Sequence, residues 1–305
     1  VKEPYRVNAI PKIHADEAEI SLPHVRAMLA EQFPAWAALP IELVTTGGTD
    51  NVMLRLGDAL FIRLPRTASA AEALARENRY PALLAPHLPA PISAPLAQGK
   101  PDDAYPFAWS IGRWISGRTP ACGECSPALA TQLGEFVRTL HTIPTADYEI
   151  TAYRGGPISA RDALTRESIA QCAPHLDAAV LLRTWDNVSQ VRENTAGACW
   201  LHTDIQPVNL LVDNGELAAV IDWGGIAIGD PAVDLIVAWN LMGPEAREHF
   251  RRAVKVDDET WRRGRAWALS IGVIAYAYYV DKEPLLTRTS RYQLKQVAAE
   301  MGLTL

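Results

Sequence analysis

The residues best suited to chemistry lie between Trp200 and Gly225. They are His202-Thr-Asp204, then Asn209 five positions after the aspartate, then Asp222-Trp-Gly224 thirteen positions after the asparagine. A carboxylate, an amide and a second carboxylate are the oxygen-bearing groups that phosphoryl transfer requires. An acceptor hydroxyl needs a carboxylate to orient it and take its proton, and magnesium takes oxygen ligands that an amide and a carboxylate can supply. Singly, each has a plainer explanation. Asp204 and Asn209 could cap a loop, Asp222 could end a strand, and Gly224-Gly225 could be a turn. Together they would need chance to set an acid, an amide and an acid-x-Gly in that order at the ends of strand-like runs.

Other chemistries find less support. His202-x-Asp204 as a hydrolase metal pair lacks further ligands at useful spacing, since His141 and His175 fall on expected helices without spaced partners. No G-x-S-x-G elbow and no G-x-x-x-x-G-K-[ST] loop occurs. A non-catalytic nucleotide-binding module would be expected to lack the base or a metal ligand, and all three groups are present.

Two textures must position this set. Ser21 opens a helix whose Val25, Met28, Leu29 and Phe33 share one face. Strand-like runs at 41–44, 52–56 and 60–64 follow, the last two forming a hairpin about Gly57-Asp58, and a helix is predicted from about 69 to 84, ended by Pro86 and the prolines after it. Tyr105 to Ile115 reads as one more strand. Beyond Pro120 the pattern turns helical: Ser126 and Pro127 cap a helix with Leu129, Leu133, Phe136, Val137 and Leu140 on its apolar stripe. Further helices are predicted near 157–171, 177–193, 230–241, 244–254, 258–280 and 287–301. Residues 199–228 form a strand-and-loop island with a hairpin turn at Asp213-Asn-Gly215. The expected class is α+β and bilobal, with a small β-rich lobe over 1–113 and a larger helical lobe over 114–305. A cleft at their junction is the expected ligand site.

The chain has 305 residues, enough for two such lobes, with 49% hydrophobic and 21% charged residues, which excludes a disordered or collagen-like chain. With 29 Lys+Arg against 35 Asp+Glu the net charge is −6, giving no global field for nucleic acid or an anionic membrane. No apolar run reaches the ~20 residues of a membrane span. Four cysteines, with Cys122-Gly-Glu-Cys125 lacking a second ligand pair, read as reduced thiols, and a cytoplasmic location is expected.

The quoted motifs resemble the aminoglycoside phosphotransferase family, the antibiotic kinase and choline kinase-like branch of the protein kinase-like fold. The resemblance rests on His202-Thr-Asp204-Ile-Gln-Pro-Val-Asn209, Val220-Ile-Asp222-Trp-Gly-Gly225 and Gly229-Asp230-Pro-Ala-Val-Asp234. Weaker support comes from Gly47-Gly48-Thr49-Asp50-Asn51, Phe61-Ile-Arg63-Leu-Pro-Arg66 and Glu77. It implies Asp204 as catalytic base, Asn209 and Asp222 as Mg2+ ligands, and ATP or GTP as donor under the 47–51 loop. Arg63 stands where such kinases usually carry a phosphate-binding Lys, with Arg66 as its competitor. Glu77 would be its ion-pair partner, with Glu72 as the alternative. His202, Asp230 and Asp234 would be structural supports, Asp230 as a helix N-cap and Asp234 bracing the catalytic loop. The implied activity is transfer of a γ-phosphate to a hydroxyl of an aminoglycoside- or macrolide-type antibiotic. The alternatives are a kinase of a metabolic amino alcohol or sugar, or the non-catalytic module. The acceptor is a small molecule, and the oligomeric state is open. Among the C-terminal acids and aromatics, Asp257-Asp-Glu reads as a helix start and Tyr278-Tyr279 as core.

Overall fold

The computed structural model describes residues 10–12, 16–44, 50–145, 148, 150, 154–195 and 197–305. Its contacts divide the chain into two units. The first comprises residues 1–85, 92–115 and 222–224, and the second comprises 86–91, 116–221 and 225–305.

The first unit begins with α1 (Leu22–Gln32), whose N-cap Ser21 accepts a hydrogen bond from the His24 N–H. Strands β1 (Ile41–Leu43), β2 (Asn51–Leu56) and β3 (Leu60–Pro65) follow, then helices α2 (Ala68–Arg79) and α3 (Pro81–Leu84), then β4 (Pro95–Gly99) and β5 (Trp109–Arg113). The strands form one antiparallel sheet in the order β1-β2-β3-β5-β4. Period-two alternation sends Val52, Leu54 and Leu56 to the face on which Val25, Met28 and Leu29 of α1 are also buried. Each fully buried aliphatic side chain there contributes about 1.5–3 kcal/mol. Two expectations are corrected. The helix predicted to run to Leu84 divides at Tyr80, because Pro81 has no N–H for the ladder and opens a new turn instead. The strand predicted over 105–115 is ordered as strand over Trp109–Arg113 alone, and β4 was hidden in the proline-rich stretch that reads as a helix stop.

The second unit holds α4 (Pro127–Thr142), α5 (Asp162–Cys172) and α6 (Ala178–Val188). Next come β6 (Cys199–Leu201), β7 (Leu210–Asp213), β8 (Glu216–Val220) and β9 (Ala227–Gly229), and then α7 (Val237–Asn240), α8 (Pro244–Val254), α9 (Asp258–Tyr279) and α10 (Pro284–Glu300). Two ribbons, β6-β9 and β7-β8, interrupt the helices. The second closes at Asn214 (φ 49°) and Gly215 (φ 85°), the left-handed pair that a two-residue hairpin needs. Gly134 lets α4 and α8 meet closely, since a Cβ there would stand 2.6 Å from Ala253 Cβ and 2.8 Å from the Phe250 carbonyl oxygen. The helix expected over 230–241 is a 3₁₀ stretch at Pro231–Ile236 followed by α7. Among the described residues no helix is long and apolar enough to cross a membrane. All four cysteines are free thiols.

Candidate functional site

The stretch from β6 to the 3₁₀ turn at Pro207–Asn209 carries Asp204, and its backbone is held in an unusual shape. Thr203 is a β-branched residue at φ 70°, a conformation that costs on the order of 1–3 kcal/mol and persists only where neighbours enforce it. Asp234, fully buried, enforces it from below: the backbone N–H of His202 donates to Asp234 Oδ2 (3.0 Å) and that of Thr203 to Oδ1 (2.7 Å). His141 of α4 adds a contact from Nε2 to Asp234 Oδ2 at 3.1 Å. From the other side Thr203 Oγ1 donates to the Gly225 carbonyl at 2.9 Å. A Cβ on Gly225 would stand 2.6 Å from that hydroxyl oxygen, so the second glycine of the Gly224-Gly225 pair is a close-approach site. His202 is fully buried, with Nε2 on the Ile221 carbonyl (3.0 Å) and Nδ1 accepting from the Asp204 N–H (3.3 Å). The bond to a carbonyl assigns the ring proton to Nε2.

Asp204 itself is half-buried, and each of its oxygens has partners. Oδ2 accepts from Gln206 Nε2 (2.9 Å) and Asn209 Nδ2 (3.2 Å), while Oδ1 accepts from Arg154 Nη1. Burial pushes the Asp204 carboxyl upward, but the Arg154 guanidinium outweighs it and holds the group below the usual carboxylate range. Asn209 also donates to the Asp204 backbone carbonyl at 2.9 Å. Its amide N–H groups therefore face Asp204, and its Oδ1 has no protein donor among the described residues.

In the first unit, Arg63 lies on β3 between β2 and β5, opposite Met53 and Ser110. Its Nη1 is paired with Glu77 of α2 and stands 4.0 Å from Asp222 Oδ1. Burial alone would lower the Arg63 pKa, yet the Glu77 and Asp222 carboxylates raise it above its ordinary value, so the guanidinium stays charged. Glu77 also accepts from Ser93 Oγ at 3.2 Å. Asp222 is left-handed (φ 65°) with its side chain 55% exposed.

The residues that the sequence left as alternatives have different surroundings. Glu72 is exposed and Glu77 is buried on Arg63. Arg66 is taken by Glu17 at 2.5 Å and by the Pro11 carbonyl at 3.1 Å. Asp230 caps the 3₁₀ stretch through the Ala232 N–H, and it also binds Arg263 through both of its oxygens (2.7 and 3.1 Å). Gly47, Gly48 and Thr49 lie outside the described residues. Asp50 is exposed, its carbonyl accepting from the Arg66 N–H (2.9 Å), and Asn51 begins β2 with its Oδ1 buried and unpartnered. Asp257 caps α9 through the Thr260 N–H, as its sequence context predicts. Tyr278 departs from expectation: it is 55% exposed, with Lys282 Nζ 3.9 Å from its ring, because it falls on the outer side of α9.

The sequence profile of the phosphotransferase enzyme family matches residues 42–267. The chain belongs to that family. Aminoglycoside 3'-phosphotransferases of Escherichia coli and Salmonella typhimurium are each 25% identical to it over 154 residues, 47% of this chain and 54% of theirs, so the chain spans about half the length of the curated relatives it matches. Among solved structures, the GDP and kanamycin complex of an aminoglycoside phosphotransferase superposes with a TM-score of 0.69 at 19% identity, covering 90% of this chain and 99% of that one. The macrolide 2'-phosphotransferase of Brachybacterium faecium gives 0.60 at 20%, covering 90% and 98%. These likenesses show the α+β, protein kinase-like fold of the family.

Three residues that contact the candidate site residues were not visible in the motifs. His141 and Arg263 reach Asp234 and Asp230 from helices whose apolar stripes account for their spacing. Arg154 sits fifty positions before Asp204, next to Gly155-Gly156. That glycine pair is its one sequence signal: Gly155 (φ 106°) accepts the Asp230 N–H at 2.9 Å and packs where a Cβ would meet Leu201 at 2.9 Å.

Proposed function

We propose that the chain is a magnesium-dependent phosphotransferase that moves the γ-phosphoryl group of ATP or GTP to a hydroxyl of an aminoglycoside- or macrolide-type antibiotic. The observation that carries this reading is the Asp204 carboxylate, displayed by a strained Thr203 that Asp234 and Gly225 hold in place, with the Asn209 amide fixed against it. A carboxylate kept ionised beside a positioned hydroxyl orients the nucleophile and accepts its proton as the new bond forms. Preset geometry is the main catalytic means in such transfer, because the loose transition state leaves little covalent chemistry for the protein. Arg63, held charged by Glu77, would neutralise donor phosphates. As a planar fork it would grip two oxygens where a lysine offers a point charge.

The donor types fit magnesium, which favours hard oxygens and retains places for phosphate and water. Asn209 Oδ1 and the exposed Asp222 carboxylate would hold it, and the bound ion would supply charge neutralisation on the phosphates. Relatives of this fold include proteins solved with GDP and kanamycin, and others named as macrolide phosphotransferases. A cytoplasmic setting, where nucleotide is abundant, suits the four free thiols.

The test is a coupled ADP- or GDP-release screen of the full chain with Mg-ATP and Mg-GTP against aminoglycosides, macrolides, amino alcohols and simple sugars. Release stimulated by an antibiotic supports the reading. Stimulation by amino alcohols or sugars alone would move the acceptor to metabolism. Nucleotide binding without turnover on any acceptor would make the chain a binding module.

A further inference from the structure

The catalytic stretch is acidic and holds no cation of its own. From Glu193 to Ala246 there is no Lys or Arg, while Asp204, Asp213, Glu216, Asp222, Asp230 and Asp234 all fall within it. Apart from the proposed magnesium, a phosphoryl group presented to Asp204 would therefore meet negative charge unless another segment supplies a cation. Two arginines reach carboxylates of this stretch within the second unit. Arg263 is 4% exposed and fully engaged, with Nε and Nη2 on Asp230, Nη2 also on Thr260 Oγ1 and Nη1 on the Arg192 carbonyl. Arg154 differs on each count. Its side chain is 27% exposed, and one nitrogen, Nη1, makes both of its bonds, to Asp204 Oδ1 and to the Thr203 carbonyl (3.0 Å). Among the described residues its Nε and Nη2 donate to nothing. The Gly155 contacts with β6 and β9 fix the backbone from which it reaches. A guanidinium anchored on the base by one nitrogen and open on the others is arranged to serve an anion brought to that base.

Resting on the phosphotransferase reading above, we propose that Arg154 is a catalytic residue of the transfer, the cation that binds the equatorial oxygens of the phosphoryl group in flight. In that step the acceptor oxygen forms its bond to the γ-phosphorus and the bond from that phosphorus to the bridging oxygen breaks. The freed electron pair passes to the β-phosphate, giving the nucleoside diphosphate, and the acceptor proton passes to Asp204. Arg154 forms no covalent bond. Its Nη1 stays on Asp204 while Nη2 and Nε donate to the oxygens on which charge accumulates, so its contacts are stronger in the transition state than in the resting protein.

The experiment uses water as the acceptor, so no antibiotic need be identified first. Mg-dependent hydrolysis of ATP and GTP is measured for the full chain, for Arg154→Ala and for Arg154→Lys, with nucleotide affinity taken from thermal-shift titrations. Arg154→Ala is expected to lose about 10²–10³ in hydrolysis rate, the range for one preorganised donor, with nucleotide Kd changed less than about threefold. Arg154→Lys should retain an intermediate rate, and millimolar guanidinium chloride should restore Arg154→Ala by about tenfold or more, which loss of a structural contact would not allow. An unchanged rate in Arg154→Ala overturns the assignment and leaves the phosphotransferase reading standing. So does a rise, which would mean that Arg154 merely covers Asp204, or a loss that guanidinium fails to rescue. No Mg-dependent turnover by the unmodified chain, with water or with any acceptor, would overturn both.

Discussion

Each unit of this protein holds an arginine–carboxylate pair among its candidate site residues, and the two pairs are built to opposite ends. Arg63 and Glu77 are 10% and 7% exposed, on a strand and a helix of the first unit, and Glu77 has Ser93 as a further donor. Arg154 and Asp204 are 27% and 29% exposed, on loops of the second unit, and the guanidinium has donors to spare. A buried pair cannot part without leaving an uncompensated charge, so its geometry is fixed. A half-exposed pair can exchange partners with water or a ligand at little cost. One arginine is thus held as a permanent cation, and the other is available to whatever arrives at Asp204.

Breaking each pair should expose the difference. Glu77→Ala strands a buried guanidinium and is expected to destabilise the protein by about 3–5 kcal/mol, read from urea unfolding. Gly225→Ala sharpens the contrast, because it acts on Asp204 without touching any charge. The added Cβ presses on Thr203 Oγ1, costing about 1–3 kcal/mol, and Mg-dependent turnover should fall while nucleotide affinity is kept. Arg154→Ala should shift stability by less than about 1 kcal/mol. An equal loss at Glu77 and Arg154 would remove the distinction between the pairs. The smallest effect concerns the thiols away from either pair. Burial pushes Cys125 up to about 12 and Cys172 to about 11, so at pH 8 neither is a thiolate, and both should resist a disulfide reagent until the protein unfolds.

The stretch proposed as catalytic could be picked out in the sequence because its candidate residues are local: Asp204, Asn209 and Asp222 are ordered by one short stretch of chain, and spacing alone conveys it. Asp234 could be read the same way, thirty positions on, because Asp230-Pro231 marks a helix start that turns it back. The partners that tune those residues were not legible. Arg154, His141 and Arg263 meet their carboxylates across 33 to 93 positions of sequence, where no periodicity applies and any exposed arginine looks alike. The fold shows the same division. Strands β2 and β3 and helices α4, α8 and α9 announce themselves by alternation, caps and apolar stripes. Strand β4 starts at a proline in a proline-rich run, and its pairing with β5 supplies what its own residues lack. Tyr278 was misplaced because a tyrosine pair on a helix reads equally well as core or surface until the helix's rotation is known.

Whether Asp204 is the carboxylate that orients and deprotonates the acceptor is tested by comparing Asp204→Asn with the unmodified chain. Mg-dependent ADP or GDP release would be measured with the best acceptor from the screen, alongside the nucleotide-induced melting shift. Turnover is expected to fall by about 10²–10⁴ with the nucleotide shift retained. Turnover within a few-fold of the unmodified chain would contradict that role for Asp204.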